Sequence, residues 1–219
     1  VVVAADANGY LTYSVLEGKV DLNATDEPET QYPSELFMVN KDDISIELAH
    51  LAKTGETTYS GTYTLTADWE NFKIVDRDNS VVYGSDPSDL YTLSSDAGAW
   101  NIWFVKVDTK EMEWTATLLS QIRANGNDMT YFSKSQKWGY YITTTAANEA
   151  VTIDADGKEY DKTTRTDYAN DKTLHFAAAD GKLTQADAST SFTIAKAGTY
   201  TVVVAADANG YLTYSVLEG

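Results

Sequence analysis

Residues 1–18 read VVVAADANGYLTYSVLEG, and residues 202–219 read the same, letter for letter. The string is two strands and a turn. Asn209-Gly210 accepts positive φ and closes tight hairpins. Before it, Tyr200, Val202 and Val204 alternate with Thr199, Thr201 and Val203. After it, Leu212, Tyr214 and Val216 alternate with Tyr211, Thr213 and Ser215. A side-chain period of two places each set on one face of a strand. The chain therefore opens inside a hairpin and closes on its twin.

A diverged copy lies one hundred residues upstream. AGAWNIWFVKVDTKEMEWTATLL from Ala97 aligns with AGTYTVVVAADANGYLTYSVLEG from Ala197. Trp100, Ile102 and Phe104 align with Tyr200, Val202 and Val204. Met112, Trp114 and Ala116 align with Leu212, Tyr214 and Val216. This is an internal repeat. Two domains of about a hundred residues form one unit, and that unit recurs every 201 residues. The reading that follows is one period of a longer array, in which residues 1–18 close a preceding unit. An engineered fusion or a circular permutation is the competing explanation.

Residues 19–33 are acidic, contain Pro28 and Pro33, and read as a semi-extended linker. A first domain is expected over 34–118. Its strands are ELFMV (35–39), GTYTLTA (61–67), NFKIV (71–75), SVVYG (80–84), WNIWFVKV (100–107) and EMEWTATL (111–118). ISIELAHLA (44–52) is the one stretch that reads as a helix. Residues 119–128 read as a second linker, and a second domain follows over 129–219. DADGK (154–158) and AADGK (178–182) read as Asp-Gly hairpin turns. Short alternating strands with frequent turns predict an all-β chain of tandem antiparallel β-sandwiches, immunoglobulin-like or like carbohydrate-binding modules.

Composition narrows the function classes. Fifteen Tyr and five Trp favour sheet surfaces. The formal charge of −17 disfavours a phosphate backbone as partner, so nucleic acid is not expected. The chain has no cysteine, which excludes disulfides and thiolate metal sites. It has no run of eighteen apolar residues, so no transmembrane helix is expected. No signal peptide or lipidation cysteine is present in these residues. The two histidines, His50 and His175, lack the neighbours that a catalytic base or metal ligand requires and read as structural. No nucleophile-elbow, phosphate-loop or zinc-protease motif occurs. Asp154 and Asp156, before Gly157, are the calcium candidates, although Lys158 stands where a calcium loop needs an oxygen ligand. No other cofactor is expected.

Aromatic residues carry the remaining signal. Trp100 and Trp114 fall at inward positions and read as core. Trp103 points the other way and reads as exposed. Trp138, Tyr140 and Tyr141 cluster in KWGYY, beside Gln136 and Lys137. These six residues, Trp103, Gln136, Lys137, Trp138, Tyr140 and Tyr141, form either a sugar-stacking platform or a contact with a neighbouring repeat.

The first domain resembles the repeated domains of SusE/SusF-type surface glycan-binding lipoproteins of Bacteroidetes. The residues that carry the resemblance are Leu36-Phe37-Met38-Val39, Gly61-Thr62-Tyr63-Thr64-Leu65, Phe72-Lys73-Ile74 and Ala97-Gly98-Ala99-Trp100. Asn40 stands where that pattern has a strand-ending Gly, and no Gly-Trp follows it. The resemblance implies a β-sandwich fold, a bacterial surface location and polysaccharide as partner. Two functions follow as expectations. One is a non-catalytic extracellular shaft, filament or adhesin stalk whose partners are neighbouring repeats. The other is a surface glycan-binding module.

Overall fold

A computed structural model describes residues 2–5, 11–14, 32–76, 82–83, 91–95, 100–161 and 166–219. Their regular structure is entirely β, without a helix, and the strand pairings are antiparallel, as the alternation predicts. Contacts divide the chain into two units, Val1–Gln31 and Tyr32–Gly219.

The first unit contains the opening hairpin, β1 (Val2–Ala5) and β2 (Leu11–Ser14). Val2 faces Ser14 and Ala5 faces Leu11. The closing hairpin, β19 (Gly198–Ala206) and β20 (Leu212–Glu218), pairs Val203 with Ser215 and Ala206 with Leu212. The two copies thus fold in one register, 201 residues apart. The turn at Asn8-Gly9 and most of the 19–33 segment lie outside the described residues.

The second unit begins with β3 (Glu35–Asn40), β4 (Glu47–Lys53), β5 (Thr58–Thr64), β6 (Trp69–Val75), β7 (Val82–Tyr83) and β8 (Tyr91–Ser94). Next come β9 (Ile102–Asp108), β10 (Glu113–Ala124), β11 (Asn127–Asp128), β12 (Thr130–Phe132) and β13 (Lys137–Thr144). Before the closing hairpin lie β14 (Glu149–Val151), β15 (Ile153–Asp161), β16 (Thr166–Ala179), β17 (Lys182–Ala186) and β18 (Phe192–Ile194). One continuous order runs β12-β13-β19-β20-β17-β16-β15-β10-β9-β5-β4-β3-β6-β7. Both β3 and β20 are flanked by neighbours on each side.

Two apolar cores sit along this order. Lobe A closes around Leu36, Met38, Leu51, Tyr59, Phe72, Ile74, Trp103, Val105, Trp114 and Leu118. Lobe B closes around Phe104, Leu119, Ile122, Trp138, Ile153, Leu174, Phe176, Val202, Val204 and Leu212. Strand β10 joins them: Glu113–Leu118 pair with β9, and Thr117–Ala124 pair with β15.

Four expectations are corrected. Residues 44–52 do not form a helix; Glu47–Lys53 is a strand between β3 and β5, with Ala49 and Leu51 buried at period two. Residues 119–124 are strand rather than linker, because Leu119, Ile122 and Ala124 enter the lobe B core. DADGK is mid-strand in β15, and Gly157 is there for closeness: a Cβ would lie 2.3 Å from the Leu118 carbonyl oxygen. AADGK does turn, with Asp180 and Gly181 both at positive φ. Finally, the hairpin echo is out of phase. Val204 faces Tyr214, whereas Phe104 faces Thr117 and Trp114 faces Val107. An odd shift in register moves a strand's side chains to the opposite face. Trp114 and Ala116 therefore join lobe A, while Ile102 and Phe104 join lobe B.

Candidate functional site: the open aromatic face of lobe B

The six sequence candidates separate by face. Trp103 is fully buried in the lobe A core, contrary to the reading of it as exposed. Alternation assigns one face of a strand to solvent, but β9 is covered on both faces, by lobe A over Trp103 and by lobe B over Phe104. Trp138 is also buried, against Tyr131 at 4.9 Å and Trp100 at 5.7 Å between ring centroids. Tyr140 is half-buried on the same side. These rings build the lobe B core and are not a platform.

The opposite face of β13 is open. Lys137, Gly139 and Tyr141 alternate along it, and Tyr141 is 71% exposed. Phe132, 48% exposed, lies directly across from Lys137, and its ring covers Gly139. Tyr141 faces Thr201, which faces Leu217, itself exposed. Gln136 and Lys134 project from the β12–β13 turn, where Gln136 adopts φ 52°. The result is an open face carrying two exposed aromatic rings and a leucine beside lysines. Phe132 and Leu217 were missed by sequence reasoning. Both are placed on this face by cross-strand register, which carries no local signal in the sequence.

Lobe B carries a polar cluster on β15 and β16. Asp154 Oδ1 is 2.8 Å from His175 Nδ1 and also accepts from the Ser189 hydroxyl. Ser189 Oγ lies 3.3 Å from the same Nδ1. A nucleophilic triad needs the hydroxyl on one imidazole nitrogen and the carboxylate on the other. Here both crowd Nδ1, and the hydroxyl donates to the carboxylate instead of to a base. Asp156 accepts from Arg123 at 2.5 Å and Thr173 at 2.9 Å. The two calcium candidates therefore sit on a strand, each with protein partners, rather than in a loop. His50 pairs with Glu35 at 2.9 Å and stacks on Phe37. A cleft of about 250 Å³ lies between Lys106, Glu113, Glu159, Lys172 and Gln185, with Lys172 and Glu159 paired at 3.3 Å.

The lobes are also joined at the closing turn. Gly210, φ +85°, packs so tightly on β4 that a Cβ would lie 2.1 Å from the His50 carbonyl oxygen. The Tyr211 hydroxyl donates to the Lys53 carbonyl at 3.2 Å, and Lys182 Nζ sits 3.7 Å from the Tyr211 ring centroid.

Residues 33–119, which hold lobe A, match a family model described as a domain of unknown function (DUF5111). Neither the curated proteins nor the solved structures contain a match.

Proposed function

We propose that this chain is one period of a non-catalytic tandem-repeat structural protein, a shaft, filament or adhesin stalk at the bacterial cell surface. The observation that carries this reading is the identity of residues 1–18 and 202–219, folded in one register in both copies. A unit whose two cores share β9 and β10, and whose closing turn wedges against β4, suits a stiff shaft element. The SusE/SusF resemblance of lobe A supports the surface location. The test is the mass of the native polypeptide by denaturing gel and mass spectrometry. A mass several times 24.0 kDa is expected. A native mass near 24.0 kDa overturns the array.

A second reading, glycan binding, rests on Tyr141 and Phe132 exposed beside Gln136 and Lys137. Titration with cellohexaose and maltohexaose tests it: binding lost in Tyr141→Ala favours this reading, and no heat with either disfavours it.

A further inference from the structure

Lobe A carries its own exposed apolar group, at the end where the β3–β4 loop meets the start of β6. Ile44, Ile46 and Trp69 are all exposed there. The loop is tied to β6 by Lys41 N–H donating to the Asn71 carbonyl and by Asn40 Nδ2 donating to Glu70 Oε1. Asp42, Asp43, Glu47 and Asp68 are exposed around this group, with Lys41 half-buried among them. Two hydrogen bonds from Ser45, hydroxyl and backbone, hold Asp43 below the ordinary aspartate pKa.

The lobe B face has the opposite rim. Lys137 is directly across from Phe132, Lys134 lies in the adjoining turn, and Lys196 lies where its carbonyl accepts from Thr144 at the far end of β13; all three are exposed. In a chain with 33 acidic and 16 basic residues, this grouping of lysines around an apolar face stands out.

We propose that the Phe132–Tyr141–Leu217 face of lobe B is the seat for the Ile44–Ile46–Trp69 end of lobe A of the next copy. This inference rests on the array reading and names its joint. Charge complementarity selects the pairing, since a lysine rim meets an aspartate and glutamate rim around two apolar centres. Position supports it as well. Gly219, after which an array continues, is bonded to Thr199 and Thr201, beside Tyr141 and Leu217. The fifteen residues equivalent to 19–33 then span at most roughly 50 Å before the next lobe A. Linkage on that scale supplies an effective concentration of about a millimolar, so a modest contact suffices to close the joint. The two surfaces differ, so the contact is head-to-tail and propagates instead of closing on a dimer.

The 219-residue chain tests this without the rest of the array. Analytical ultracentrifugation should show association that grows with concentration from about 10 µM up to about 1 mM, the scale of that effective concentration. Two double variants, Phe132→Ser with Tyr141→Lys, and Ile46→Lys with Trp69→Lys, should each weaken association at least tenfold. All four side chains are exposed, and circular dichroism checks folding; Tyr141→Ser and Trp69→Ser are the milder pair. An equimolar mixture of the two double variants retains one intact pair of faces and should stop at dimers. A wild-type chain that stays monomeric throughout overturns the joint, as do variants that associate like wild type. A mixture without dimers overturns the head-to-tail pairing. Oligosaccharide binding that depends on Tyr141, without association, reassigns the face to a glycan and also overturns the joint. The outcomes separate from the array reading: a large native mass with a monomeric 219-residue chain sinks the joint alone, and an associating chain with a native mass near 24.0 kDa sinks the array alone.

Discussion

Gly210 meets two demands that no other residue satisfies together. Its φ of +85° is strained for an L side chain, and the His50 carbonyl occupies the place of a Cβ. Gly210→Ala should cost about 3 kcal/mol, read by denaturant unfolding. Two tyrosines give a second residue-scale test. Burial raises the pKa of Tyr63, with Glu70 adding to it, and burial raises that of Tyr131. A raised folded pKa favours the neutral phenol in the folded state. Its stabilisation is whole below the ordinary value of 10.0 and is lost as pH climbs through the raised one. Absorbance near 295 nm should show part of the tyrosine ionisation delayed until alkaline unfolding. In Tyr63→Phe with Tyr131→Phe, that late fraction should shrink.

At the scale of elements, β9 and β10 are where the molecule departs from a chain of independent sandwiches. Trp103 and Phe104 are neighbours in sequence and sit in different cores. Trp103→Ala and Phe104→Ala should each cost about 3–5 kcal/mol by leaving a cavity. Hydrogen exchange should show the first loosening β3–β6 amides and the second loosening β15–β17 amides. This double coverage also marks the limit of what the amino-acid order reveals. Alternation in Val202, Val204 and Leu212 told faces correctly because the closing hairpin has one wet side. The same alternation misplaced Trp103 because a strand buried on both faces still alternates. Asp154-Ala155-Asp156-Gly157 has turn chemistry, yet it is held extended by β10 and β16. Those neighbours are set by pairing far along the chain and leave no local trace. Of the six site candidates, Tyr141, Lys137 and Gln136 keep their exposure, and Phe132 and Leu217 join them only through cross-strand register.

For the whole molecule, shared strands tie the fates of the lobes together. Residues 32–219 should unfold in a single calorimetric transition, with van't Hoff and calorimetric enthalpies equal, because neither core survives loss of β9 or β10. Two separate transitions would refute the coupling. The strands through which the unit is entered and left add a mechanical consequence. Tension applied along the backbone acts first on β3 and β20. At the entry, Glu35 and Leu36 pair with β4 alone, and from Phe37 the strand is held by β4 and β6 together. At the exit, Ser215–Glu218 pair with β19 alone, and Leu212 and Thr213 are held by β19 and β17 together. Each strand peels over its outer residues and then meets a segment where two ladders must break together, so resistance to load is set by the rate of that rupture and not by equilibrium stability.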